Sequence, residues 1–188
     1  MTLPIVAFLD ASVLYPANVR NLLMRLSVNG AFRPLWSQSV HDEWTRAVLR
    51  DRPHLTVDQI NRTRALMDKH AHDAMVVGFE SLISGLLLPD PDDRHVLAAA
   101  ITGKASLIVT SNLRHFPDSA LRPHSLRTID ADGFIMQLFH QDPEKVRWAA
   151  KEHRESLKRP PQTVDTYIAA LRHSGLVQIA DALSAPND

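Results

Sequence analysis

The stretch that decides the fold is Ile5-Val-Ala-Phe-Leu-Asp10, a short apolar run with β-branched members that ends at an acidic residue. Such a run is typical of a buried strand. Asp10 follows the strand directly, and ligands of α/β proteins bind at the carboxyl edge of a parallel sheet. The stretch therefore predicts a buried first strand with a carboxylate at the edge where a site would form.

Further strands and helices alternate along the chain after this first strand. Strands are predicted at 32–36, at 74–79 and, most clearly, at 106–110. Thr56 and Gln59 have the spacing of a helix cap and its partner. The helices predicted from apolar spacing cover about 22–30, 37–50, 56–72 and 93–101. The alternation predicts an α/β fold of three layers, α/β/α, around a central parallel sheet.

The sequence changes character from Asp142 onward. Asp142-Pro143 is a cap followed by proline at the first helical position, which predicts a polar helix. A breaker at 159–161 separates this helix from a second one over 163–173 and a short amphipathic tail. We therefore expect a helical extension over 142–184, after a first domain over 3–138.

Composition excludes several classes of protein. The 188 residues include 21 Lys+Arg, 21 Asp+Glu and no Cys, so disulfides, thiolate zinc sites and cysteine nucleophiles are excluded. The formal net charge of zero means that any nucleic-acid surface must be a local patch. No apolar run approaches the roughly 18 residues of a membrane span, and no basic leader precedes the first strand. We expect a cytoplasmic protein without membrane association.

Three carboxylates lie where burying an acid is costly: Asp10 after the first strand, and Glu43 and Asp93 beside apolar helical stripes. If they converged on one cleft they would repel one another unless a cation lay between them. Oxygen ligands of this kind suit Mg²⁺ or Mn²⁺. Taken singly, Asp93 is also compatible with a helix cap, and Glu43 with a solvated position.

Four segments in this order resemble the PIN domain. They are Ile5-Val-Ala-Phe-Leu-Asp10-Ala-Ser-Val-Leu-Tyr-Pro16, Trp36-Ser37 together with Glu43, Asp90-Pro-Asp-Asp93-Arg-His-Val-Leu-Ala-Ala-Ala100, and Ile108-Val-Thr-Ser-Asn112-Leu-Arg-His-Phe116-Pro. The resemblance covers about residues 3–138 and is to the bacterial branch of toxin components related to the VapC ribonucleases. The helical tail also resembles the extension found in that branch.

The resemblance implies a three-layer domain with an acidic cleft, and cleavage of single-stranded RNA that depends on Mg²⁺ or Mn²⁺. It implies the toxin of a type II toxin–antitoxin pair, with a cognate antitoxin as partner and a homodimer as assembly. Water activated at the metal would be the attacking group, so no nucleophilic side chain is required.

The resemblance also assigns catalytic and metal-binding positions. Asp10, Glu43 and Asp93 match the first three acids of the family, and Asn112 falls where many members have a fourth. An amide brings an oxygen but no charge, which puts the affinity for a second metal in question. Asp90 is the residue expected to compensate as a metal ligand.

Four further residues are expected around the acids. Ser12 and Thr110 are expected to orient carboxylates or waters. Arg20 and Arg114 are expected to neutralise a phosphate, although single arginines are commonly plain surface residues. Farther away, a basic helical face is compatible with either a solvated surface or a patch that tracks RNA. It consists of Arg147, Lys151, Arg154 and Lys158.

Three alternatives stay open. Asn112 in place of an acid favours a catalytically weak PIN-fold module that binds RNA or protein. An aspartyl phosphatase also begins with Asp after its first strand, but it requires a second Asp where this chain has Ser12. His70-Ala-His72-Asp73 has a spacing compatible with zinc ligands, but no fourth ligand is apparent.

Overall fold

A parallel sheet forms the centre of the molecule. The computed structural model describes residues 4–185, and within them five strands pair side by side in the order β3-β2-β1-β4-β5, every pair parallel. The strands are β1 (Val6–Leu9), β2 (Arg33–Ser37), β3 (Met75–Val76), β4 (Leu107–Val109) and β5 (Thr128–Ile129). The predicted α/β/α class with a central parallel sheet is confirmed.

Helices cover the sheet and form the C-terminal part of the chain. In chain order they are α1 (Ala11–Leu14), α2 (Ala17–Val28), α3 (Gln38–Asp51), α4 (Val57–His70), α5 (Glu80–Ile83), α6 (Arg94–Thr102), α7 (Asp118–Leu121), α8 (Ala131–Gln141), α9 (Pro143–Ser156), α10 (Val164–His173) and α11 (Val177–Ser184). Within the described residues, none of these helices has the length and apolar character that crossing a bilayer requires.

The strand order has one reversal, and it fixes where a site can form. From β1 the chain proceeds outward to β2 and β3, then returns to place β4 on the other side of β1. The connections that leave β1 and β4 therefore diverge at the carboxyl edge of the sheet. Such a switch point leaves a crevice in which α/β proteins bind ligands.

One part of the core lies between the sheet and helix α6. Val96–Ala100 of this helix are fully or almost fully buried, and the helix packs on β1, β2 and β4. Gly103 ends the helix where a Cβ atom would lie only 2.6 Å from a methyl carbon of Leu35. The small residues of α6 thus allow it to approach the sheet closely.

The structure differs from the sequence predictions in one strand that is shorter than predicted and in two elements that were not predicted. The strand predicted over 74–79 is limited to β3, because Val77 is exposed and Gly78 adopts a positive φ of 76° that ends the extended backbone. Strand β5 was not predicted, since a two-residue strand carries no periodic signal. Helix α8 was not predicted either. The capping pair Thr56 and Gln59 is confirmed, with both reciprocal hydrogen bonds formed.

The C-terminal helices pack on the sheet-covering layer. Helix α9 lies against α2 and α8, and α11 lies against α8 and α10. The buried carboxylate of Asp132, in α8, accepts hydrogen bonds from the backbone N–H groups of Gln178 (2.8 Å) and Ile179 (3.0 Å) at the start of α11. This is the charge that a helix N-terminus favours. The predicted division of the chain at 138–142 stays a prediction.

Some side chains of the basic face predicted on α9 make contacts within the protein. Arg147 donates to the carbonyl of Ala182 (3.2 Å), and Arg154 donates to the carbonyl of Gln162 (3.2 Å). Lys151 lies over the ring of Trp148, 5.4 Å from its centre. A role of this face in tracking RNA stays a prediction.

A buried histidine in α9 provides a test of the packing of the extension. His153 is 1% exposed, lies 2.9 Å from the hydroxyl of Tyr167, and has its pKa lowered by burial to about 4. Below the ordinary value of 6.5 the unfolded chain takes up a proton that the folded chain does not, so stability falls as the pH drops towards 4. The loss from this residue is at most about 3 kcal/mol.

We predict that His153→Gln flattens the fall in unfolding free energy between pH 7 and pH 4, because the amide does not titrate. Urea unfolding at a series of pH values measures this dependence. His140→Gln, at an exposed position of α8, is the matched control and should retain the wild-type pH dependence. An unchanged slope in His153→Gln would contradict a neutral buried imidazole.

Candidate functional site

The site begins where β1 and β4 end. Asp10 follows β1 and Thr110 follows β4, and the backbone N–H of Asp10 donates to the carbonyl of Val109 (3.1 Å). The two residues therefore lie side by side at the reversal of strand order. This is the position that the sequence predicted for a ligand-binding edge.

The carboxylate of Asp10 is buried and held by three donors. Its Oδ1 accepts from the backbone N–H of Ala11 (2.7 Å), and its Oδ2 accepts from the hydroxyls of Ser12 (2.6 Å) and Thr110 (2.7 Å). Only 4% of Asp10 is exposed. The Ser12 oxygen in turn accepts from the backbone N–H of Ser111 (2.9 Å). The structure thus places both predicted hydroxyls against this carboxylate, which has a fixed orientation.

A second group lies on two short 3₁₀ turns, Pro91–Asp93 and Leu113–His115. The Nδ1 of His115 donates to Oδ2 of Asp93 (2.6 Å) and lies 3.8 Å from Oδ2 of Asp90. One ligand atom from each of these three residues lies within 4.8 Å of the other two. Burial raises the pKa of Asp93, and the charges of Asp10 and Asp90 act in the same direction, whereas the bond from His115 acts against them.

Glu43 reaches the site from α3 and pairs with a second histidine. Its Oε1 lies 2.7 Å from Nε2 of His95, which is in α6. Burial alone would lower the pKa of His95, but the hydrogen bond to Glu43, with the charges of Glu43, Asp10 and Asp93, raises it. The pairing with Glu43 therefore favours the protonated form of His95. Its Nδ1 is buried, with no hydrogen-bond partner among the described residues.

The remaining predicted residues are less closely engaged. Asn112 and Arg114 are exposed on the turn after β4, and the backbone N–H of Asn112 donates to the hydroxyl of Thr110 (3.0 Å). Arg20 is buried, where it donates to the carbonyl of Leu14 (2.6 Å) and lies over the ring of Trp44. The guanidinium of Arg20 supports the end of α1 in this position. Catalytic or phosphate-binding roles for these three residues stay predictions.

Sequence analysis did not single out His95 and His115. His115 lies three residues after Asn112, and a 3₁₀ turn brings residues at that spacing to the same side of the backbone. That spacing was the signal in the sequence that could have identified His115. Among the described residues, a compact metal-ligating group forms at Asp90, Asp93 and His115, and not at His70-Ala-His72-Asp73.

The donors at this edge fit a divalent cation. Carboxylate oxygens predominate, and they are the ligands preferred by Mg²⁺ and Mn²⁺. The raised pKa of Asp93 has its physical cause in burial next to other acids, a situation that a bound cation relieves. Hydroxyl groups orient the central carboxylate, as outer residues do in many metal sites.

Comparison with known proteins agrees with this geometry. Residues 6–114 match the family model of the PIN domain, and residues 131–185 match the model described as the VapC50 C-terminal domain. The chain belongs to the PIN domain family, as the resemblance of its sequence segments indicated.

One relative is a protein of Mycobacterium tuberculosis (strain ATCC 25618 / H37Rv) whose name is "Putative ribonuclease VapC50". The two sequences are 34% identical over 98 residues, which make up 52% of this chain and 57% of the relative. The chain thus matches little more than half the length of that protein. No solved structure matches this chain.

The raised pKa of Asp93 predicts a stability cost in protein stripped of metal. The folded state binds this proton more tightly than the unfolded chain, so stability decreases as the pH rises above the ordinary value of 3.8. In EDTA at pH 7, we expect Asp93→Asn to raise the melting temperature, and the gain should vanish at pH values below 3.8. Thermal unfolding followed by circular dichroism measures both.

The exposed neighbour Asp92 offers the control for this experiment. Asp92→Asn removes one negative charge from the same turn and leaves the half-buried carboxylate of Asp93 in place, and we expect it to leave the melting temperature near the wild-type value. Equal stabilisation by both variants would mean that the net negative charge of this turn, rather than the burial of Asp93, determines the change in melting temperature.

Proposed function

We propose that this chain is a metal-dependent endoribonuclease that cleaves single-stranded RNA, and that it is the toxin of a type II toxin–antitoxin pair. The observation that supports this most is the grouping of acids at the reversal of strand order, where the charges of Asp10 and Asp90 act on Asp93 and Glu43 pairs with a histidine close to them. Membership of the PIN family and the named relative support the same reading.

Each acidic residue has a separate part in this proposal. Asp10 and Asp93 hold the cation, with Glu43 and Asp90 as further ligands and His115 positioned beside them. A bound Mg²⁺ or Mn²⁺ lowers the pKa of water and neutralises charge on a phosphodiester. Asp10 can present a fixed oxygen because Ser12 and Thr110 hold its carboxylate.

The hydroxyl groups at this edge have a structural task. Ser12 and Thr110 both donate to Asp10 and thereby fix the orientation of its carboxylate. The aspartyl-phosphatase alternative needs an acid at the position of Ser12, where this chain has a hydroxyl.

The finer parts of the proposal come from the family resemblance. They are the preference for RNA over DNA, the identity of the metal as Mg²⁺ or Mn²⁺, the cognate antitoxin, the homodimer and the cytoplasmic location. An antitoxin that placed a basic side chain on the acidic cluster would match the charge of this cleft.

We predict that Asp10→Asn and Asp93→Asn each reduce RNA cleavage by about 100-fold or more, because each removes a charged ligand at the metal. Labelled single-stranded RNA incubated with Mg²⁺, Mn²⁺ or EDTA measures cleavage. Asp92→Asn is the matched control and should cleave at the wild-type rate. EDTA should abolish cleavage by all active forms.

The outcomes of this assay separate the alternatives. Equal cleavage by wild type and both site variants would attribute the activity to a contaminant. RNA binding without cleavage in either metal would instead favour the PIN-fold binding module. Formation of an aspartyl phosphate on Asp10 would favour the phosphatase.

The hydroxyl of Thr110 provides a test of the ligand geometry. We predict that Thr110→Val weakens Mn²⁺ binding by about 10- to 100-fold, because Asp10 loses one of the donors that orient it. Isothermal titration calorimetry with Mn²⁺ measures the affinity. Thr45→Val, which removes another buried hydroxyl within α3, should leave the affinity unchanged. Unchanged affinity in Thr110→Val would contradict Asp10 as a ligand.

A further inference from the structure

A cavity of about 420 Å³ opens beside the acidic cluster, between α1 and the outer face of α3. Ser12 and Glu43 line its inner end, and these residues contact Asp10 and His95 respectively. From Glu43 the cavity follows α3 to Arg50 and Asp51, about two helical turns away. The cavity is therefore continuous with the site and leads outward from it.

The outer end of the cavity differs in chemistry from the acidic cluster. Tyr15, directly after α1, borders it with a ring that is half-buried, and the guanidinium of Arg52 lies over that ring, 5.8 Å from its centre. Arg50, whose side chain is 72% exposed, lines the same end and pairs with Asp51. An aromatic ring near arginine side chains suits a nucleotide, whose base can stack on the ring while its phosphate pairs with a guanidinium.

The Tyr15 ring is held in place from two directions. Its hydroxyl donates to Oδ2 of Asp51 (3.1 Å), while the buried guanidinium of Arg20 donates to the carbonyls of Leu14 (2.6 Å) and Tyr15 (3.4 Å). Arg20 also lies over Trp44, 4.7 Å from the ring centre, in the wall of the cavity. Arg20 thus stabilises this wall through hydrogen bonds to carbonyls and contact with an aromatic ring. Such pre-organisation lowers the entropy cost of binding a ligand.

We propose that this cavity binds the nucleotide next to the scissile phosphate, with its base against the ring of Tyr15. This inference rests on the proposed function, since it names the part of the RNA that the site would recognise. Unstacked bases of single-stranded RNA are bound in this way by aromatic rings and guanidinium groups. Arg50 donates to both carboxylate oxygens of Asp51, and this exposed guanidinium has further N–H groups that suit a flanking phosphate.

In this arrangement Tyr15 is a base-binding residue. Stacking of one base on an aromatic ring contributes about 1–3 kcal/mol, which corresponds to roughly 5- to 150-fold in affinity. Tyr15→Leu removes the stacking surface, whereas Tyr15→Phe retains it and loses only the hydroxyl. Trp148, which is 56% exposed on α9, offers an aromatic control away from the cavity through Trp148→Leu.

The experiment measures RNA binding in EDTA, where cleavage is absent. Fluorescence anisotropy is recorded with labelled hexanucleotides of adenylate, cytidylate or uridylate, intact or with one abasic nucleotide moved along the strand. We expect wild type and Tyr15→Phe to bind intact RNA at least 5-fold more tightly than RNA that is abasic at one particular position. Tyr15→Leu should lose this difference, and Trp148→Leu should retain it.

The proposal is overturned if Tyr15→Leu discriminates intact from abasic RNA as wild type does while its circular dichroism spectrum is unchanged. It is also overturned if all variants bind both RNAs equally. That result would favour a protein partner as the ligand of the cavity. Cleavage without base-dependent binding would overturn this inference and leave the proposed nuclease function standing. Base-dependent binding without cleavage in any metal would support a base-binding cavity at Tyr15 but overturn its position next to a scissile phosphate, together with the proposed nuclease function.

Discussion

The hydrogen bond between Thr110 and the carboxylate of Asp10 joins the two strands on which the candidate site depends. It connects the end of β4 to the end of β1, next to the point where the strand order reverses. Without an oriented donor, a carboxylate that is 4% exposed would be costly to keep charged. The fold thus provides the donors that orient Asp10, and the other acids lie around a fixed carboxylate.

The histidines explain how the protein tolerates so many acids at one edge. His115 donates to Asp93, and His95 pairs with Glu43. Each imidazole thus offsets part of the repulsion among neighbouring carboxylates while leaving their oxygens at the cleft. A site of this kind is a compromise between stability and function, because the same repulsion attracts a cation.

Sequence patterns predicted the parts of the fold and site that follow from periodicity. Asp10 and Thr110 were predictable because each directly follows an apolar strand, and parallel strands bring their carboxyl ends to one edge. His95 and His115 were not, since His115 contacts Asp93 across two short turns and His95 contacts Glu43 across two helices, and periodicity does not report such contacts. Strand β5, with two residues, was equally invisible. The burial of Arg20 was not predictable either, because a single arginine carries no pattern that reports its environment.

The carboxylate of Asp132 has a consequence for how the chain can be shortened. It is buried, and its oxygens accept from the first N–H groups of α11. Deleting α11 would expose the neighbouring apolar surface and also leave a carboxylate that had lost its partners, a combination that penalises the remaining chain. The last helix is therefore linked thermodynamically to α8, which lies directly after β5. A minimal version of the protein would need an uncharged residue in place of Asp132 before its C-terminal helix could be removed.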